Sequence, residues 1–225
     1  MPLEMTAAST AEASGAGSGN AGAGEEGAIL FVPSCLEPGV SGDWTLELFE
    51  VSAPPEARVP EDQRPEWARH APGTYRRLKV GNTVMMSDTH DEWWTQRRGI
   101  AEACERGGHV LITGLGLGVV VESMFASPGS RVERITVVEA SEDVIALVAP
   151  QLVPRYADRL EVVHADAFEW SPPEGTHFTV GWHDIWPSPY MASNLPEMER
   201  LEKHYAEVCE WQGFWGRELI AASTE

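Results

Sequence analysis

The segment that most restricts the fold is HVLITGLGLGVVVESM, residues 109–124, in which an apolar run meets glycines at every second position, Gly114, Gly116 and Gly118. A short buried strand entering a glycine-rich turn and then a helix is the opening unit of a parallel α/β sheet. The rhythm continues downstream. RITVVEA reads as a second strand and SEDVIALVAPQL as a second helix, with LEVVHAD as a third strand and FTVGWHD as a fourth. Buried strands alternating with helices imply parallel strands joined by right-handed crossovers.

The flanks read differently. Residues 1–27 are rich in Ala, Gly and Ser and offer little to bury, so a disordered tail is expected there. Residues 28–89 read as a small β region: DWTLELFEVS alternates like a half-buried strand, and GTYRRLKVGNTVMMSD reads as a hairpin turning at Gly81-Asn82. The Pro-rich APPEARVPEDQRPEW between them excludes a regular helix. HDEWWTQRRGIAEACERGG, which opens the main domain (90–225), reads as a helix stopped by Gly107-Gly108. Near 194, Asn194 is the expected helix cap, with Glu197 at capping-box spacing. No further strand is legible after Asp184, so the sheet is expected to be truncated after its fourth strand. Trp211, Phe214 and Trp215, the N-terminal strands or a second copy in a homodimer would then cover the open edge.

The net charge of −19 argues against a nucleic-acid partner, because phosphate binding needs clustered Lys and Arg. No run approaches the length of a membrane span, and no basic-then-apolar leader is present. Three scattered cysteines fit a reducing, cytoplasmic setting without a zinc knuckle.

Carboxylates fall at successive strand ends: Glu139 after the second, Asp166 after the third, Asp184 after the fourth. They share the crevice beyond the carboxyl ends of the strands, where such sheets bind ligands. The glycine spacing is G-x-G-x-G, one residue short of the dinucleotide pattern G-x-G-x-x-G, which makes NAD a distant alternative.

VLITGLGLGVVVES, VVEASEDVIAL, LEVVHADAFEW and FTVGWHDIWPSP together resemble class I S-adenosylmethionine-dependent methyltransferases, particularly the spermidine-synthase-like branch; MMSDTHDEWWTQ is a weaker match. The resemblance implies a Rossmann-like sheet that would ordinarily continue through three strands beyond the fourth. It implies that Gly114, Gly116 and Gly118 pass the methionine part of S-adenosylmethionine, or of its decarboxylated form. Glu139 would hold the ribose, Asp166 with Ala167 the adenine, and Asp184 would orient or deprotonate the nucleophile. Two positions depart from polyamine synthesis: Leu117 and Pro187 stand where that branch carries acids. An unpaired buried ammonium is costly, so methyl transfer to a small-molecule acceptor is favoured, a cationic one included. An aminopropyltransferase and a non-catalytic adenosyl-binding module are the alternatives.

No metal is expected. His183 adjoins Asp184 in an extended segment, so their side chains point to opposite faces. Trp93-Trp94 and the Trp182/Trp186 pair read either as core or as aromatic walls for cofactor and acceptor. Ser123 lacks the G-x-S-x-G context of a hydrolase nucleophile.

Overall fold

The computed structural model describes residues 29–52, 72–188 and 191–222. The expected tail, 1–27, and the Pro-rich connector, 53–67, lie outside the described residues.

Four strands come first: β1 (Gly39–Ser41), β2 (Trp44–Val51), β3 (Gly73–Val80) and β4 (Thr83–Ser87). They form an antiparallel meander in that order, with Leu46 opposite Leu78 and Trp44 opposite Val80. The β3–β4 hairpin turns at Gly81-Asn82 as expected, though only Gly81 takes a positive φ (56°).

Helix α1 (His90–Arg106) links this sheet to the second one. There follow β5 (Gly108–Thr113), α2 (Val119–Ala126), β6 (Val132–Glu139), α3 (Glu142–Tyr156), β7 (Leu160–His164), β8 (Val180–His183), α4 (Leu195–His204), β9 (Gln212–Phe214) and α5 (Arg217–Ala222). All five strands of the second sheet are parallel, in the order β7-β6-β5-β8-β9. The order reverses between β5 and β8, the arrangement of a Rossmann-like half-sheet.

The sheet is therefore not truncated after its fourth strand. β9 covers β8, pairing Trp182 with Gly213 and His183 with Phe214. Three residues are too few to show a period, and Gly213 resembles a helix break. It is instead a site of close approach: a Cβ on Gly213 would lie 2.7 Å from the Trp182 ring.

Alternation along β5 divides the core between two faces. Val110 and Ile112 join Ile100, Leu117, Val121, Met124, Ile135 and Leu152 on one side. Leu111 joins Phe178, Met198, Leu201, Tyr205 and Phe214 on the other. Leu36, Leu46 and Leu78 belong to the first cluster, so the N-terminal sheet shares its core with the parallel one. Polar contacts fasten the two: Ser41 Oγ donates to Asp143 Oδ1 at 2.7 Å, and Glu37 N–H to Gln151 Oε1 at 2.8 Å.

Helix α3 runs past its expected end to Tyr156, despite Pro150 and Pro154. At its start the Ser141 hydroxyl accepts from Val144 N–H, an ordinary cap. The expected cap of α4 is not made. Asn194 instead donates to the Ser188 carbonyl, and Glu197 accepts from the Trp186 indole rather than reaching back to residue 194.

Candidate functional site

Parallel pairing sets the strand ends level. Thr113 is opposite both Val138 and His183, and Glu139 is opposite His164. The residues that follow these ends, Gly114, Asp166 and Asp184, and Glu139 itself, accordingly open onto the same space. A cavity of about 540 Å³ lies there, lined among others by Gly114, Gly116, Glu139, Asp166, Ala167 and Asp184. Six of the seven expected site residues thus meet. Gly118 does not line the cavity; it stands at the start of α2 with φ 72°, packed against Leu152.

The loop glycines are required by the chain itself. Gly114 has φ 96°, and a Cβ there would lie 2.0 Å from the Asp184 carbonyl oxygen. Gly116 has φ 49°, and its Cβ would lie 2.2 Å from Met86 Sδ. Most loop amides are already engaged: Gly114 N–H donates to the Val138 carbonyl, Leu115 N–H to Glu139 Oε2, and Gly118 N–H to the Leu115 carbonyl. Leu117 N–H points at Met86 Sδ (3.0 Å), a weak acceptor. Gly116 N–H has no acceptor among the described residues. These last two amides, at the positive end of α2, are what the loop offers an anionic ligand group. The Leu117 side chain is fully buried in the core and lies outside the cavity lining, so it offers the site no charge and no surface.

Glu139 is fixed at both oxygens: Oε2 takes the Leu115 amide and Oε1 the Ser141 amide, each at 2.8 Å. A carboxylate has capacity for two further donors, so ribose-type hydroxyls still fit. Asp166 is exposed; its Oδ1 accepts from Phe168 N–H at 2.8 Å, which shapes the turn and leaves Oδ2 without a partner among the described residues. Ala167 is buried, its carbonyl taken by the Tyr205 hydroxyl at 2.7 Å.

Asp184 is the most constrained of the set. Its amide donates to the Thr113 carbonyl, and its Oδ2 accepts from Gln96 Nε2 at 2.6 Å. Gln96 in turn accepts from the Trp182 indole at 2.8 Å, which settles the orientation of its amide. Loss of hydration raises the Asp184 carboxyl to about 7 against the Gln96 bond that favours the anion; the Glu139 charge adds to the rise. By surface the residue is only partly buried, yet protein crowds the carboxyl enough for desolvation to dominate.

A second carboxyl escaped the reading from sequence. Glu92 lines the same cavity, and its Oε2 accepts from both the amide and the hydroxyl of Ser87 at 2.7 Å. Desolvation raises it to about 7 against those two bonds, with Asp184 and Asp91 adding repulsion. Glu92 and Gln96 are four residues apart on α1, hence on one face. That spacing was readable in DEWWTQ, but nothing in it says that the face meets a strand end.

His183 turns away from Asp184, as an extended segment requires. It is fully buried between Tyr205 and Phe214, in contact with Thr113 Oγ1 and Gln212 Oε1. Gln212 donates its own amide to the Glu202 carbonyl, so its oxygen faces His183 and the histidine donates from Nε2. Burial lowers this imidazole to about 4 and keeps it neutral. Trp93 is core, donating to Ser123 Oγ at 3.2 Å, whereas Trp182, Trp186 and Trp215 wall the cavity.

No helix among the described residues is long and apolar enough to cross a membrane. No family model matches the chain, and no curated protein matches it. Among solved structures, spermidine synthase from Thermotoga maritima is similar over 77% of this chain and 52% of its own, with 17% identity and a TM-score of 0.45. A dimethyladenosine transferase from Plasmodium falciparum is similar over 48% and 36%, with 19% identity and a TM-score of 0.35. A mitomycin 7-O-methyltransferase is similar over 53% and 34%, with 21% identity and a TM-score of 0.37. The chain thus spans about half the length of these proteins or less. The fold itself is given by the strand order β7-β6-β5-β8-β9, which is Rossmann-like.

Proposed function

We propose that the protein is an S-adenosylmethionine-dependent transferase that moves a methyl group to a small acceptor. One observation carries this reading: the loop at Gly114–Gly116, Glu139, Asp166-Ala167 and Asp184 converge on one cavity at the carboxyl ends of the parallel strands. When bound, the cofactor supplies a carbon activated by a sulfonium. Glu139 accepts ribose hydroxyls with the lone pairs its two amide bonds leave over. Asp166 accepts from an exocyclic amine through Oδ2. The amides of Gly116 and Leu117 take a carboxylate, for which Met86 gives up its weak contact.

Asp184 acts on the acceptor. Gln96 pins Oδ2, so Oδ1 is the oxygen left to take a proton from the nucleophile. A carboxyl raised to about 7 is a stronger base than an ordinary one and is still half ionised near neutrality. Trp182, Trp186 and Trp215 exclude water, which favours alignment of nucleophile and electrophile.

Calorimetric titration with S-adenosylmethionine, S-adenosylhomocysteine, decarboxylated S-adenosylmethionine, methylthioadenosine and NAD tests the reading. Tighter binding of the first two is expected. Preference for the decarboxylated cofactor and methylthioadenosine would replace methyl by aminopropyl transfer, and no adenosyl binding at all would end both readings.

A further inference from the structure

A second chamber of about 750 Å³ adjoins the first and shares Met85, Met86, Glu92, Trp182 and Trp215 with it. Its remaining walls bring in Val84, Trp94 and Phe214 beside polar and charged side chains, so that with Trp182 and Trp215 four aromatic side chains face it. The charges around it are balanced. Arg98 pairs with Glu218, Arg217 pairs with Glu202 and lies over Phe214, and Arg97 lies 4.3 Å over the Trp94 ring. Three arginines meet Asp91, Glu218 and Glu202, the partner of Arg217, so even with Glu92 raised to about 7 neither a free cation nor a free anion meets a large excess of opposite charge.

Glu92 stands where the chambers join. Ser87 ties down its Oε2 twice, and Oε1 has no partner among the described residues. Gln96, one turn on, likewise ties Asp184 by one oxygen and leaves the other. Glu92 lines both chambers and Asp184 the first, and the two carboxyls lie near enough to repel each other.

We infer that the second chamber is the acceptor site, that its ligand is a flat, uncharged aromatic molecule carrying a phenolic hydroxyl, and that Glu92 with Asp184 receives the phenol's proton. This rests on the transferase reading above. As the phenol oxygen bonds to the methyl carbon, the carbon–sulfur bond breaks and its electron pair stays on sulfur, leaving a neutral thioether. The phenol's proton passes to the ionised carboxylate of the pair and from there to water, so one proton is released per turnover. A phenol enters neutral and must lose a proton of pKa near 10, so a raised carboxylate is a better-matched base than an ordinary one. The other charged groups lining the chamber are Asp91, Arg97, Arg98, Arg217 and Glu218; of the charges around the pair, Asp91 acts on Glu92 and Glu139 on Asp184.

Quenching of tryptophan fluorescence by 2-naphthol, 2-naphthoate and 1,4-diaminobutane, on the full chain without cofactor, tests the chamber. Saturable binding of 2-naphthol is expected, at least tenfold tighter than that of the anion or the diamine. Trp94→Ala and the chamber-filling Val84→Trp should each weaken it tenfold or more while circular dichroism stays unchanged. No naphthol binding, binding indifferent to both variants, or tighter binding of the diamine would each overturn the inference. With naphthol as methyl acceptor, Glu92→Gln should lower turnover and steepen its rise with pH, leaving naphthol affinity within about threefold; an unaltered pH profile would remove Glu92 from the proton's path. Naphthol binding is read without any adenosyl ligand, so failure of the chamber and failure of the cofactor reading are separate results.

Discussion

Trp182 and Asp184 hold opposite ends of one amide: the indole donates to Gln96 Oε1 at 2.8 Å, and Gln96 Nε2 donates to Asp184 Oδ2 at 2.6 Å. Trp182 on β8 and Asp184 just past its end thereby hold the same residue of α1. Asp184→Asn should lower turnover by ~10²–10⁴ with cofactor affinity nearly unchanged, since a proton acceptor is lost and not a binding group. Gln96→Leu frees the carboxyl and should cost less, with most of the loss in kcat. Full turnover in folded Asp184→Asn would show that the proton leaves by another route.

The same two carboxyls make a pH-dependent stability testable. Asp184 and Glu92 stand at about 7, above their ordinary 3.8 and 4.5, so the native state keeps protons that the unfolded chain has released. Their favourable contribution is complete below about pH 4 and is lost as pH rises to 7. Asp184→Asn and Glu92→Gln escape that loss. Each should be more stable than the parent at pH 8 by ~1–3 kcal/mol, with the gap closing towards pH 4. Urea midpoints at the two pH values would check this, and a gap that widened on acidification would contradict it.

Glu139→Ala removes the acceptor of two backbone amides as well as that proposed for the ribose. Adenosyl affinity should fall by ~1–3 kcal/mol, and Leu115 N–H, left unpaired, should loosen the loop. Glu139→Gln can still accept one amide and should recover part of the affinity. Equal affinity for parent and Ala variant, by calorimetry, would move the ribose elsewhere.

The loop glycines should separate by what blocks them. Gly114→Ala meets backbone, the Asp184 carbonyl at 2.0 Å, and should fold poorly or displace Asp184. Gly116→Ala meets the end of a flexible side chain, Met86, which can swing aside. Thermal unfolding should therefore separate the two by several degrees, with Gly114→Ala the less stable. The reverse order would mean that the Asp184 backbone yields more readily than Met86.

Gly99 lies within α1, where alanine would ordinarily favour the helix by about 1 kcal/mol. A Cβ there would sit 2.2 Å from the Trp182 ring. Gly99→Ala should therefore shift Trp182, disturb Gln96 and reduce turnover without touching any ligand. Intact activity together with higher stability would show that the indole has room to move.

The strands β5 to β8 and the carboxylates at their ends were legible because period and spacing are local properties of the chain. Gln96, Glu92 and Met86 were not, since what brings them to the site is the packing of α1 and β4 against the strand ends. β9 was hidden for a related reason: Gly213 makes sense only beside Trp182, thirty-one residues earlier in sequence. The Asn194 and Glu197 pattern was read as a cap because the motif is local, whereas the structure gives both side chains other partners.

His183 lies between Trp182 and Asp184 and faces the other way, against Thr113, Tyr205, Phe214 and Gln212. Three consecutive residues of β8 and its end therefore serve two masters: the outer pair lines the cavity at the strand ends, and the middle one packs against β9. A change that loosens β9 is expected to be felt in the cavity one residue away, so removing α5, none of whose residues lines that cavity, is a route to weakening the site without altering any residue in it.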